Sequence, residues 1–419
     1  MSEFVLDILN VVTMVIQLLA LAITLYYFVV GIFGWIPKKE KPVSSKTNTF
    51  ALLVAAHDEE MVIANMVDSL TALDYDRSAY DIYVIADNCT DSTAQVAREH
   101  GAIVYERFDT TKRGKGFALE WMFEKLFNME KQYDFIGIFD ADNLVDKNFL
   151  KAMNKQINNG YNVVQGYVDS KNPFDSWITC AYSFSFWSVS RVFQLARHNL
   201  GLSCQLSGTG FVMKTELLKK LGWGATCLTE DMEFTMKLAL NDEKVGFERG
   251  AVIYDEKPLT LVQSWKQRKR WMQGHADVAS RFFGKLMRKA FKESKFLCFD
   301  CAIYLVQPIR IIALGFITLF AWLQMAYPDG NIGFFHMDYL FSPMVWNTFV
   351  ILQLLYMPVV IAIERKVFDS RMFWGYLTFM VYNLTWIPIA IQGMIDKNKT
   401  EWSHTKHTRQ ITIDDFEKH

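Results

Sequence analysis

The chain lacks any surplus of charge: 44 Lys and Arg stand against 45 Asp and Glu, a formal net charge of −1. That excludes the basic footprint of a nucleic-acid binder and the charge imbalance that would attract an acidic partner. A cysteine framework is also missing. Cys89, Cys180, Cys204, Cys227, Cys298 and Cys301 follow no regular spacing, so no disulfide-stapled scaffold is expected and a reduced, cytoplasmic pool fits. Cys298 and Cys301 form a lone CxxC, but no second pair and no nearby His ligands accompany it, so no metal or redox role is expected there.

Charge is absent over one long stretch. Val11 to Ile36 carries none and exceeds the ~20 residues needed to cross hydrocarbon. Its acidic start (Glu3, Asp7) and its length argue for an anchor rather than a cleaved signal. The basic flank Lys38-Lys39 puts the following region on the cytoplasmic side. Three further apolar segments follow late, at about Ile303–Tyr327, Val345–Ile363 and Phe373–Ile395. Pro328 to Pro343 has no Lys or Arg and is expected outside, whereas Arg365, Lys366 and Arg371 are expected inside. Four full spans would then leave the Lys-rich tail outside, against the charge rule. Pro308, Arg310 and Pro388 mark candidate broken or re-entrant stretches. The expected organisation is an anchor over 1–40, a cytoplasmic domain with interfacial helices over 41–295, an apolar region over 296–396 and a polar tail over 397–419.

The middle region alternates short β-branched runs with helical ones, which predicts an α/β fold with a mostly parallel, doubly wound sheet flanked by helices. Predicted strands are Thr49–Ala56, Asp81–Ala86, Ile103–Tyr105 and Phe135–Phe139. Helices are predicted over Glu59–Leu73, from Asp91 as N-cap through Glu99, and over Gly114–Met129. Sites in such sheets lie beyond the carboxyl ends of the strands. Acidic residues fall there repeatedly: Asp58, Asp87, and Asp140 with Asp142. Single strand-end carboxylates are ordinary caps, but three clusters point to a shared polar site.

Three motifs carry the chemistry. Asp140-Ala141-Asp142 can hold a hard divalent cation, Mg2+ or Mn2+, that neutralises a diphosphate. Thr229-Glu230-Asp231 opens a helical run; a carboxylate there is either a helix-start partner or a general base. Gln267-Arg268-Lys269-Arg270-Trp271 lies on a basic amphipathic run. It suits a membrane surface, or alternatively a diphosphate (Arg270) and a stacked sugar (Trp271). Phe174 to Leu200, aromatic and sparsely charged, reads as a core helix or an interface helix.

In this order and setting, Asp87, DAD, TED and QRKRW resemble the processive family-2 glycosyltransferases of GT-A fold, such as cellulose, hyaluronan and poly-N-acetylglucosamine synthases. The resemblance implies an inverting, UDP-sugar-dependent hexosyltransferase in the cell membrane, multi-pass, with a cytoplasmic catalytic domain. It would polymerise a β-linked polysaccharide and extrude it through the bilayer. By that resemblance His57, Glu59, Asp87, Lys112, Lys115, Asp140, Gln267 and Arg270 would bind the nucleotide sugar, and Asp140 and Asp142 the metal. Asp231 would be the base with Glu230 beside it, and Trp271, Gly208 and Thr209 would meet the acceptor. Trp402 and Thr405 would belong to a gating tail. The segment Ala55-Ala56-His57-Asp58-Glu59 departs from the family's usual Pro and Asn. Ser207-Gly208-Thr209-Gly210 resembles the cellulose-type acceptor segment, which favours UDP-glucose and a β-glucan. A poly-N-acetylglucosamine-type product and a non-processive glycolipid transferase are the alternatives, and a catalytically silent sensor is a third.

Overall fold

A computed structural model describes residues 3–37, 46–224, 227–326, 343–365, 370–399, 411–413 and 415. The soluble part is built on an eight-stranded sheet of order β3-β2-β1-β4-β7-β6-β8-β5. Its strands are β1 (Phe50–Ala56), β2 (Tyr80–Asp87), β3 (Ile103–Arg107), β4 (Phe135–Asp140), β5 (Leu144–Val145), β6 (Val163–Ser170), β7 (Phe211–Lys214) and β8 (Val245–Asp255). β3, β2, β1 and β4 run parallel; β7 is antiparallel to β4 and β6; β8 runs parallel to β6; β5 is antiparallel to β8. β1, β2, β4, β6 and β8 therefore end at one edge, which becomes the floor of the site. The mostly parallel character matches the sequence expectation. The reversed β7 was not predicted, nor were β5, β6 and β8.

The sequence dictates this sheet because its central strands are apolar on both faces. In β1 only Ala55 is less than buried, as expected for strands covered by helices on either side. One core lies against α4 (Lys115–Phe127) and α6 (Trp177–Val189). The other lies against α2 (Ile63–Thr71), α3 (Thr93–Glu99) and α5 (Phe149–Asn158). Gly137 in β4 is required by this packing, because a Cβ there would meet Leu52 Cδ2 at 2.9 Å. The expected helix at Glu59 starts later, at Ile63. The Asp91 cap is realised as a bond from the Thr93 N–H to Asp91 Oδ1 (3.0 Å), with Ser92 at the N-cap position.

The remaining helices start with α1 (Glu3–Ile32). A turn of π-helix over Ser190–Leu195 joins α6 to α7 (Ala196–Leu200); α8 (Thr215–Leu221) and α9 (Glu230–Leu240) follow. Then come α10 (Leu261–Lys292), α11 (Phe296–Leu305), α12 (Gln307–Ala326), α13 (Pro343–Arg365), α14 (Ser370–Leu384) and α15 (Trp386–Ile395). Among the described residues, two stretches are long and apolar enough to cross a membrane, Val11–Trp35 and Ser370–Ile395. A pair bent by 55°, Phe296–Leu305 with Gln307–Phe320, qualifies as a broken span. The breaks fall beside the prolines singled out above: Pro308 and Pro388 each remove a backbone donor just past the α11–α12 and α14–α15 junctions. Large apolar side chains stand exposed along these helices, including Leu19, Phe28, Trp322, Leu355 and Trp374, which suits contact with lipid. Buried ion pairs tie the helices to the soluble part. Glu364 of α13 receives Arg191 and Arg249, and Asp300 of α11 receives Arg197. Cys298 and Cys301 are buried free thiols. Trp402 and Thr405 lie outside the described residues.

Candidate active site

At the end of β1 the chain turns sharply, with Asp58 in the left-handed region (φ 53°). Asp58 Oδ1 accepts from the Thr90 N–H at 2.6 Å, so Asp58 serves the turn. His57 Nδ1 meets the Asp87 carbonyl at 2.7 Å, and the Glu59 N–H donates to Thr93 Oγ1 at 2.8 Å. Both His57 and Glu59 line the cavity described below. Asp87, at the tip of β2, is held by Arg107 Nη1 at 2.5 Å. Burial pushes its carboxyl up and Arg107 opposes this. Arg107 was not singled out in the sequence; it sits at the tip of β3, paired with β2 in register.

Lys115 opens α4 directly after Gly114, whose φ of 111° demands glycine. Its Nζ donates to Asp140 Oδ1 (2.5 Å) and to the Gly208 carbonyl (2.7 Å). Burial works against its charge, but the carboxylates of Asp140, Glu230 and Asp231 overcome it and raise the lysine's pKa. Lys112 is exposed and stands outside the cavity lining; its carbonyl accepts from Arg107 Nη2 at 2.7 Å. Of the two candidate lysines, only Lys115 reaches the carboxylates.

Asp140 and Asp142 flank Ala141 at the end of β4. Asn143 lies within 3.5 Å of Asp142 Oδ1 and 3.4 Å of Asp255 Oδ1, so the tips of β4 and β8 meet through one amide. Asp255 and Glu256 join the lining, a contribution that only the β6–β8 pairing reveals. Asp140 and Asp142 offer hard oxygens, and Mg2+ is commonly bound by one or two carboxylates with substrate phosphates completing its shell. The residues therefore fit a divalent cation. Among the described residues, the grouping of three close ligand atoms is elsewhere, at Asp58, Cys89 and Asp91, where the carboxylates already serve turns.

Ser207 to Gly210 lies between α7 and β7. Gln165 of β6 staples it, accepting from the Ser207 N–H (2.9 Å) and donating to the Thr209 carbonyl (3.0 Å). Thr209 is buried and its hydroxyl turns to the Asp140 N–H (3.0 Å) and to Asn143. That hydroxyl supports the DAD turn rather than projecting toward an acceptor. Ser207 is the exposed residue of the segment; Gly208 (φ 80°) is half-buried, and a Cβ there would lie 3.6 Å from Asp231 Oδ2.

Glu230 and Asp231 are the first residues of α9. The Met232 N–H donates to Asp231 Oδ1 at 2.8 Å. Burial, with Glu230's charge next, pushes Asp231 up to about 7 against Lys115 and the Met232 N–H. Glu230 is also raised by burial, with Lys115 and Arg270 opposing. The same short-range electrostatics thus link the DAD, TED and QRKRW stretches. A carboxyl poised near neutrality can take a proton from a hydroxyl.

α10 begins with a capping box between Thr260 and Gln263. Gln267, Arg270 and Trp271, at i, i+3 and i+4, face the cavity. Arg268 points the other way, donating to Thr385 Oγ1 (2.8 Å) between the rings of Tyr382 and Trp386, and Lys269 pairs with Asp396. Arg270 Nε and Gln267 Oε1 are buried with no hydrogen-bond partner among the described residues. Trp271 packs beside Tyr182 and Phe186 of α6, ring centroids 6.0 and 6.4 Å away. α10 comes this close because of Gly274, where a Cβ would sit 2.4 Å from Thr229 Oγ1. One cavity of 2290 Å³ connects all of these groups and continues between α1, α12, α13 and α14. Pockets for one small ligand are ~300–1,000 Å³, so this space exceeds what one such ligand needs.

This is the architecture of a nucleotide-sugar transferase, with acidic strand tips, a buried lysine and a cationic helix around one cavity. Residues 47–274, more than half of the chain, match the family described as glycosyltransferase like family 2, and the chain belongs to that family. It is 24% identical over 399 residues to a probable glycosyltransferase, YdaM, of Bacillus subtilis, covering 86% of this chain and 87% of that one. It is 29% identical over 230 residues to the beta-monoglucosyldiacylglycerol synthase of Synechocystis, covering 53% of this chain and 47% of the relative. The poly-beta-1,6-N-acetyl-D-glucosamine synthase of Staphylococcus epidermidis is 25% identical over 271 residues, 61% of this chain and 64% of the relative. The mannosyltransferase PcManGT of Pyrobaculum calidifontis, solved with GDP-Man and Mn2+, shares the fold. Its TM-score is 0.60 at 17% identity, over 93% of this chain and 99% of that one.

Proposed function

We propose that this glycosyltransferase moves a hexose from a UDP-sugar, with inversion, onto a hydroxyl of a lipid-borne acceptor entering from the bilayer. One observation carries the reading: the cavity that holds Asp231 continues between the membrane helices as a largely apolar passage lined by Leu21, Leu25, Leu314, Leu319 and Leu352, with a few polar groups such as Arg310 among them. Sugar hydroxyls would lose their water there without compensation, whereas acyl chains would not. The glycolipid synthase among the relatives supports the same reading.

In the proposed mechanism Arg270, Gln267 and Lys115 receive the donor's diphosphate. Asp140 and Asp142 would hold Mg2+ or Mn2+, which neutralises phosphate charge when bound. Asp231 takes the acceptor's proton as its oxygen attacks the anomeric carbon opposite the departing nucleoside diphosphate. Glu230 keeps the base's pKa high, and Trp271 with Tyr182 and Phe186 walls the sugar. The catalytic part faces the cytoplasm, with α1 and the late helices in the bilayer.

The processive reading, a β-glucan or poly-N-acetylglucosamine extruded across the membrane, is favoured by the QRKRW face toward the cavity and by the polymer synthase among the relatives. Incubating the purified protein with labelled UDP-glucose or UDP-N-acetylglucosamine, mixed lipids and oligosaccharides separates the two. Label extracted into organic solvent supports the lipid acceptor; label retained in a long, hydrolase-sensitive polymer refutes it.

A further inference from the structure

The membrane end of the cavity is not uniformly apolar. Tyr27 of α1 has two guanidiniums near its ring, Arg310 at 5.0 Å and Arg197 at 5.4 Å from the centroid. Only Arg197 is neutralised: its Nε and Nη2 take the two oxygens of Asp300 at 3.1 and 2.9 Å, and Tyr26 Oη adds a bond to Oδ1 at 2.6 Å. No carboxylate among the described residues pairs with Arg310. It is held by neutral groups, Gln307 Oε1 (3.0 Å) and Thr24 Oγ1 (3.5 Å). Tyr27 Oη is buried and has no hydrogen-bond partner among the described residues. An uncompensated cation among membrane helices is costly unless it has an anion to bind.

Along α12 the cavity lining extends from Gln307 to Trp322, with Phe316 included. Gln307 and Arg310 come first, then Leu314, Thr318, Leu319 and Trp322. At 1.5 Å per residue, Arg310 and Trp322 are ~18 Å apart, enough to lie beside an acyl chain. Toward the other end Tyr304 of α11 lines the same cavity as Asp231 and Tyr27. From the bilayer inward the order is therefore apolar channel, cation with a free hydroxyl donor, then base.

We propose that Arg310 and Tyr27 form an anion subsite for the phosphate of the acceptor, so that the acceptor is a phospholipid whose headgroup ends in a hydroxyl. This rests on the lipid-acceptor reading. The tail lies along α12, the phosphate meets Arg310, and the terminal hydroxyl reaches Asp231. That O–H gives its proton to Asp231 and its oxygen bonds to the anomeric carbon. The bond from that carbon to the diphosphate breaks, and the nucleoside diphosphate leaves with the electron pair.

The test uses the purified full chain and two lipids with the same dioleoyl tails, phosphatidylglycerol and diacylglycerol, with retention measured by native mass spectrometry. Wild type should retain phosphatidylglycerol at least about tenfold better. Arg310→Gln should lose about 10- to 100-fold on phosphatidylglycerol alone, the range of a charged hydrogen bond. Tyr27→Phe, which removes one oxygen and no charge, should lose a few-fold, and Arg310→Lys should retain part of the preference. Equal retention of the two lipids by wild type, or equal losses on both in the variants, overturns the subsite. So does displacement of the lipid by millimolar inorganic phosphate, which would mark a site for the free anion. A turnover arm with UDP-glucose and UDP-N-acetylglucosamine separates the two claims. Phosphatidylglycerol bound through Arg310 but never glycosylated, while oligosaccharides are extended, refutes the lipid-acceptor reading and the acceptor role of the subsite together.

Discussion

Asp231→Asn should stop transfer and stabilise the fold, and the two effects have one cause. The carboxyl is pushed from 3.8 to about 7 by burial and by Glu230. Below pH ~4 it is protonated in both folded and unfolded chains, and the Asn variant differs little in stability. Between pH ~4 and 7 the unfolded chain releases the proton that the folded chain keeps, so wild-type stability falls as pH rises. Above 7 both states are ionised and the penalty is constant. About three units at 1.36 kcal/mol each bound the penalty near 4 kcal/mol; because Glu230 shares the proton, about 2–4 kcal/mol is the working range. Asn keeps an oxygen for the Met232 N–H, so the local turn survives. Thermal melts in one detergent from pH 4 to 9 should show the Tm of Asp231→Asn rising above wild type through pH 7 and holding a plateau beyond. Transfer should fall by at least ~10²–10⁴-fold, the usual contribution of a general base, with nucleotide binding intact. A Tm difference independent of pH, a less stable Asn variant at pH 8, or retained turnover would refute the reasoning.

Wild-type kcat/KM should rise with pH through an acid limb near 7 that belongs to the Glu230–Asp231 pair, because the base acts only when ionised; a flat profile from pH 5 to 8 contradicts this. Gly274→Ala should push α10 away from Thr229 and lower kcat about 10²-fold, with Thr229→Ala recovering part of the loss in the double variant. Arg270→Gln should cost about 10²–10³ in kcat, and Arg270→Lys should not restore it, because a point charge cannot reproduce the guanidinium fork. Transfer should cease in EDTA and return with Mg2+ or Mn2+; full turnover in the chelator would remove the metal from the mechanism.

The first four strands were legible, the central ones because they are buried on both faces, so that FALLVAA and FIGIF leave no alternating pattern to misread. β7 was hidden because a four-residue strand reversed between neighbours carries no signal beyond its apolar residues. Among the site residues, DAD, TED and the 267/270/271 face could be read because strand ends and helical periodicity fix where side chains go. Arg107, Asn143, Gln165 and Asp255 could not, because each acquires its role only from strand pairing or a turn that brings distant positions together. Thr209, expected from the sequence to meet the acceptor, lines the cavity, and its hydroxyl also accepts from the Asp140 N–H, a partner that only the folded turn brings near.

Arg310 shows what composition alone leaves out. In the sequence it is a charge that spoils an apolar segment, suggesting a broken span. The helix does break beside it, at Val306, where Pro308 lacks the N–H that would continue the helical ladder. Yet the break also turns α12 so that Gln307, Arg310, Leu314 and Trp322 share the wall of the cavity that contains Asp231. A polar head and an apolar run on one cavity wall match an amphiphile, and a polymer of hydroxyls has no use for the second half of that wall. On the proposed lipid-acceptor reading, the acceptor is selected by the geometry of one kinked helix, which neither the DAD nor the TED motif encodes.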